Sequence, residues 1–170
     1  MTLAETDHLL LRRLREDDAA FILELVNEPG WLKFIGDRGI RNWEDARLYI
    51  VNGPPGMCAV VRRADGVEVG ICGLLKRETL DDMDLGFALL ERYEGKGYAR
   101  EAARAMVAYG FDRLGLERIA AITKPTNHAS IRLLDALGFE ASGKVNSPDP
   151  VCLFLLRKWS GAKCGALPPT

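Results

Sequence analysis

The chain has 170 residues, 48% of them hydrophobic, which suits one domain around a single buried core. A formal net charge of −1 with 28% charged residues gives no general attraction to nucleic acid or to an anionic membrane surface. Cys58, Cys72, Cys152 and Cys164 are spread out with no C-x-x-C pair, and two histidines cannot complete a zinc set with them, so no metal is expected.

Residues 1–8 read as a lead-in without a basic leader or a long apolar run; no segment is apolar enough to span a bilayer, and a cytoplasmic setting is expected. Residues 9–158 read as one domain, and 159–170 as a flexible tail. Residues 9–14 predict a strand. Ala19, Phe21, Ile22, Leu25 and Val26 recur at helical spacing, with Pro29-Gly30 as the stop. Residues 31–39 are aromatic and irregular. Asn42 is placed to cap a helix carrying Ala46, Tyr49 and Ile50. Strands follow at 57–62, 67–75 and 81–90, then a long amphipathic helix from Tyr98 to about Leu114. A strand over 118–123, a helix over 130–137 closed by Gly138, and an antiparallel pair at 139–145 and 151–157 complete the order. A strand meander that passes into strand–helix alternation predicts a mixed α/β sheet of about seven strands with helices on both faces.

The richest stretch is Glu91-Arg-Tyr-Glu-Gly-Lys-Gly97, between a hydrophobic strand and the long helix. Two glycines at the mouth of a helix let the backbone turn sharply and aim several N–H groups at one spot. With the helix dipole, Arg92 and Lys96, they form a site for phosphate. Gly95-Lys-Gly97-Tyr-Ala-Arg100 begins like a dinucleotide fingerprint, but Arg100 stands where a glycine or alanine is needed, and Glu117 opens its strand rather than ending one. Gly138 to Lys144 has P-loop spacing, but Val145 occupies the magnesium hydroxyl position and no helix follows.

Arg92-x-x-Gly95-x-Gly97 between strand and helix resembles the acetyl-coenzyme A motif of the GNAT superfamily of N-acetyltransferases. Asn127-His-Ala-Ser130 through Gly138-Phe139 resembles that superfamily's second signature. Asp84-Leu-Gly-Phe87 and Leu9-x-Leu11-Arg12-x-Leu14 are similar to the branch containing the ribosomal-protein N-terminal acetyltransferases. The resemblance implies a mostly antiparallel sheet splayed at the cofactor strand, and acetyl-coenzyme A as co-substrate. It implies pyrophosphate held by Arg92, Glu94, Gly95, Lys96, Gly97, Tyr98 and Ala99. The pantetheine arm would lie along Phe87, Ala88, Leu89 and Leu90, and touch Asn127 and Ser130. The acceptor would be an amine, on a protein N-terminus or a small molecule, and the assembly a monomer or homodimer. A coenzyme A-binding regulatory module is the alternative in another functional class.

Acetyl transfer needs a neutral amine. An α-amino group near pKa 7.8 costs about 1 kcal/mol to deprotonate at pH 7, whereas a lysine near 10.4 costs about 4.6 kcal/mol. One carboxylate therefore suffices for an α-amine. Asp84 is the first candidate base, at a position where this branch often has glutamate; being shorter, it is suited to a water relay, and a plain strand-edge carboxylate is its structural alternative. Glu78 is the second. Ser130 matches the family residue assigned to protonating the departing thiolate, and otherwise serves its helix start. Asn127 is a pantetheine contact or an Asx-turn residue. Backbone N–H groups near Leu89 could polarise the thioester carbonyl. The acceptor is expected among residues 31–41, 78–82 and 146–150.

Overall fold

The computed structural model describes residues 1–53, 55–145 and 148–158. Eight strands form one sheet in the order β1-β2-β3-β4-β5-β6-β8-β7. In chain order the elements are β1 (Thr2–Glu5), β2 (Leu9–Arg13), α1 (Ala19–Val26), α2 (Pro29–Phe34), α3 (Trp43–Asn52), β3 (Met57–Arg62), β4 (Glu68–Leu75) and β5 (Asp84–Leu89). Then come α4 (Tyr98–Asp112), β6 (Arg118–Thr123), α5 (His128–Ala136), β7 (Glu140–Val145) and β8 (Val151–Arg157). Every neighbouring pair is antiparallel except β5 and β6, which α4 joins as a crossover.

Two predicted boundaries are corrected. Residues 1–8 are not a lead-in: Thr2–Glu5 pairs antiparallel with β2 and adds the eighth strand, and Leu3 and Ala4 pack on the core. Pro29 does not simply stop a helix. It occupies the first turn of α2, where its fixed φ fits and no N–H is missed. The expected tail, residues 159–170, lies outside the described residues.

Alternation along each strand divides the core between two faces. Leu85, Phe87 and Leu89 point to the cluster with Met106 and Val107 of α4 and Leu134 of α5. Ala88 and Leu90 point to the opposite cluster, with Ile22 and Leu25 of α1, Trp31 of α2 and Ala46 of α3. Ile22, Leu25 and Val26 are each no more than 2% exposed, and burying such a side chain stabilises the fold by about 1.5–3 kcal/mol. Gly110 lets α4 lie close to the sheet: a Cβ there would come within 2.8 Å of Leu74 Cδ1 and 3.0 Å of Ile119 Cδ1.

A buried ionic group fixes the first helix to the sheet. Arg12 on β2 donates to both oxygens of Asp18 at 2.8 and 2.9 Å and to Glu68 on β4 at 3.1 Å, while the Arg15 N–H donates to Asp18 at 2.8 Å. Burial alone would push the Asp18 carboxyl up. The Arg12 and Arg15 hydrogen bonds, with the charge of Arg12, outweigh it and hold the group below its ordinary value.

Candidate active site

Strands β5 and β6 share one register pair among the described residues, Asp84 opposite Ala120. The Ala120 N–H donates to the Met83 carbonyl at 2.8 Å, and beyond Asp84 the two strands part. On its other side β5 is fully paired to β4, from Asp84 opposite Leu75 to Leu89 opposite Gly70. Main-chain groups of successive residues point to alternate edges, so those of Phe87 and Leu89 face the gap without a ladder partner. The gap is a fork with a free strand edge, open along the roughly 17 Å from Asp84 to Leu89. An extended amide chain can pair with such an edge through its own N–H and C=O groups.

The fork leads directly into the glycine loop. Gly95 and Gly97 have φ of 74° and 83°, the left-handed region that other residues adopt only with strain, and Gly97 is the N-cap of α4. Among the described residues none of the six backbone N–H groups from 95 to 100 has an acceptor. They gather at the N-terminus of a 15-residue helix whose dipole also favours an anion. Open space surrounds both glycines. Lys96 is exposed beside them, and Tyr98 and Ala99 form the first turn.

Arg92 is turned elsewhere. Its guanidinium holds the Glu24 carboxylate of α1 and lies 4.9 Å from the centre of the Tyr93 ring. That pair is about half exposed on both sides, and such a pair contributes about 0–1 kcal/mol, so a phosphate can displace Glu24 without large cost. Glu94 is exposed and offers phosphate no donor side chain. Burial, then the charges of Glu91 and Glu28, raise its carboxyl.

The far wall is the start of α5. Asn127 is its N-cap, its side-chain oxygen accepting from the Ser130 N–H at 3.3 Å. The Asn127 amide nitrogen and the Ser130 hydroxyl have no partner among the described residues and are free for a ligand. His128 is exposed.

Asp84 is at the closed end of the fork, 1% exposed, on the face of β5 toward α1–α3. Arg77, in the β4–β5 loop, donates its Nε–H to Asp84 Oδ2 at 2.6 Å, while Oδ1 is buried without a hydrogen-bond partner. Burial raises the Asp84 carboxyl above its ordinary value; the Arg77 guanidinium and, less strongly, the Ile122 N–H across the fork oppose that rise. Glu78 is in the same loop and exposed, without a hydrogen-bond or ion-pair partner among the described residues.

Of the expected acceptor stretches, Trp31 is core, 6% exposed, and Phe34 is half-buried under the Lys33 ammonium at 4.9 Å. Asn146 and Ser147 lie outside the described residues. Lys124, after β6, donates to the Lys33 carbonyl of α2 at 3.0 Å, tying the α5 side of the fork to the α1–α3 side. Lys124, Glu24 and Arg77 were not singled out from sequence. Only Arg77 left a signal there, an opposite charge seven residues from Asp84 across a hairpin. Among the described residues no group of three His, Cys, Asp or Glu side chains could hold a metal, and no helix is long and apolar enough to cross a membrane.

A forked sheet with a helix mouth of unpaired N–H groups at its open end defines a class, and comparison with known proteins gives the same one. Residues 8–140 match the family model of the acetyltransferase (GNAT) domain, and the chain belongs to that family. It is 30% identical over 142 residues to the uncharacterized N-acetyltransferase YnaD of Bacillus subtilis, covering 81% of this chain and 82% of the relative. The crystal structure of a GNAT-family acetyltransferase from Bacillus anthracis superposes with a TM-score of 0.81 at 24% identity, over 92% of this chain and 98% of that one. RimL, a ribosomal L7/L12 α-N-protein acetyltransferase solved in complex with coenzyme A, superposes with a TM-score of 0.77 at 16% identity, over 92% and 98%. The chain is thus an N-acetyltransferase by family, with ribosomal-protein acetyltransferases among its structural neighbours.

Proposed function

We propose that this protein transfers the acetyl group of acetyl-coenzyme A to a primary amine by direct attack within a ternary complex. The observation that carries the reading is the junction of the β5–β6 fork with the six free N–H groups at residues 95–100. The N–H groups, with Lys96 and a released Arg92, would hold the pyrophosphate. The free edge at Phe87 and Leu89, with the Asn127 amide across the gap, would hold the arm. Acetyl-coenzyme A supplies an activated thioester and a thiolate leaving group.

The chain's own groups then have distinct tasks. Asp84 takes the amine's proton, directly or through a water, from its place at the base of the fork. A main-chain N–H of Phe87 or Leu89 donates to the carbonyl oxygen as negative charge develops there. The new N–C bond forms as the C–S bond breaks. The Ser130 hydroxyl, without a partner among the described residues, would donate to the sulfur, a modest aid because a thiol of pKa near 8.5 departs readily. The acceptor would be a protein α-amine, as the RimL neighbour's name suggests for that protein, or a small amine.

Titration calorimetry with acetyl-coenzyme A, followed by thiol release with a panel of amines, tests the proposal. Micromolar binding and acceptor-dependent release are expected. Binding without release across peptides, polyamines and amino acids would reduce the protein to a coenzyme A-binding module.

A further inference from the structure

The Asp84–Arg77 pair leaves complementary atoms unused. Asp84 Oδ2 accepts from Arg77 Nε, but Oδ1 is buried with no partner. The Arg77 side chain is 40% exposed, and among the described residues neither terminal nitrogen has an acceptor. The same two residue types can close on each other completely, as Arg12 and Asp18 do with two bonds of 2.8 and 2.9 Å. Here they do not. A buried carboxylate oxygen without a hydrogen bond and two terminal guanidinium nitrogens without an acceptor sit side by side at the base of the fork.

On the acetyl-transfer reading, we propose that Asp84 and Arg77 together recognise an acceptor whose primary amine has a carboxylate a few bonds away. The amine donates to the Asp84 carboxylate, and the acceptor's carboxylate takes the terminal nitrogens of Arg77. Two observations favour a carboxylate over a phosphate. The planar guanidinium matches two coplanar oxygens. The loop that carries Arg77 also carries Glu78 and Asp81, which repel a dianion, while Asp82 there is paired with Arg118 and Lys76 is occupied by the Leu80 and Asp81 carbonyls. A free amino acid has this chemistry, and so does aspartate or glutamate as the first residue of a peptide.

Matched acceptors separate these sources and test the inference. Thiol release is measured for free amino acids against their amides, and for peptides beginning with glutamate against peptides beginning with glutamine. Acceptor binding to the coenzyme A-loaded protein is followed in parallel by calorimetry. In one series the carboxylate member should have kcat/KM higher by roughly tenfold or more, the value of one charge-assisted contact. The test is stringent for amino acids, because the amide's less basic amine gives up its proton more readily. Arg77→Gln should bring the ratio of carboxylate to amide turnover toward one, and Arg77→Lys should restore part of it. Amides equal to or better than acids in both series, or a ratio that Arg77→Gln leaves unmoved, would overturn the inference while leaving acetyl transfer intact. Carboxylate-dependent binding without turnover of any amine would overturn the transfer reading and keep the recognition. No binding and no turnover would overturn both.

Discussion

Asp84 faces Ala120 in the one register pair that joins β5 to β6 among the described residues, and the side chain of that same Asp84 is the buried carboxylate at the base of the fork. Its backbone closes the sheet; its side chain is on the face toward α1–α3. Asp84→Asn keeps the shape and removes the proposed base. Turnover is expected to fall by about 100-fold or more, the low end of general-base contributions, with acetyl-coenzyme A affinity changed less than about twofold. Steady-state kinetics and calorimetry on the same preparation check this. Unchanged turnover removes Asp84 from the mechanism.

The environment of Asp84 also sets a pH dependence. Burial raises its carboxyl, so, if Asp84 is the base, the ionised form is lost, and the rate with it, as pH falls through a value above the ordinary one for an aspartate. Arg77 opposes the rise, so Arg77→Gln should move the acidic limb of the kcat profile to higher pH. A limb at the same pH in both proteins would assign it to another group.

Stability should move the opposite way from activity at this residue. A carboxyl raised in the folded state favours folding below about pH 3.9, and that contribution is lost as pH rises through the raised value. At pH 7 the buried charge is therefore a net burden, and Asp84→Asn should melt at the same temperature or higher. A clear drop in Tm at pH 7 would show that the Arg77 pair outweighs the burial.

Gly97→Glu places a side chain at φ 83° and a negative charge among the N–H groups proposed to hold phosphate. Open space around the glycine means that the fold survives with local strain of about 1 kcal/mol. Acetyl-coenzyme A affinity is expected to fall by about 100-fold or more, read by calorimetry beside a circular dichroism spectrum. Near-native affinity in a folded variant refutes the phosphate placement.

The Arg12–Asp18–Glu68 group tests what holds α1 to the sheet. Arg12→Ala leaves Asp18 buried and unpaired, and should cost about 3–5 kcal/mol in urea unfolding. The Asp18 carboxyl is held below its ordinary value, so its contribution is present above about pH 3.9 and lost as pH falls through its folded value. A loss below about 1 kcal/mol would mean that the pair is solvated as the protein breathes.

What could be read from sequence was what local chemistry dictates. The cap at Asn42 and the left-handed glycines at 95 and 97 follow from residue type and spacing, whereas the cap of α5 proved to be Asn127 and not Ser130. β1 escaped because Thr2–Glu5 has only two inward residues, Leu3 and Ala4, too few to set a period. α2 escaped because Pro29-Gly30 is a breaker in isolation and a helix start only once Trp31 packs against Ile71 and Leu90. Arg92 on Glu24 and Lys124 on the Lys33 carbonyl join residues 68 and 91 positions apart, and no local pattern encodes such directions. The fork itself depends on where β6 returns, which is a property of the α4 crossover.

Acceptor-dependent thiol release from acetyl-coenzyme A, by the unaltered protein and by Asp84→Asn side by side, is the most direct test of the transferase reading. Release by the first, with at least one amine in the panel, and its loss in the second are expected. Tight acetyl-coenzyme A binding with no release for any amine would contradict it.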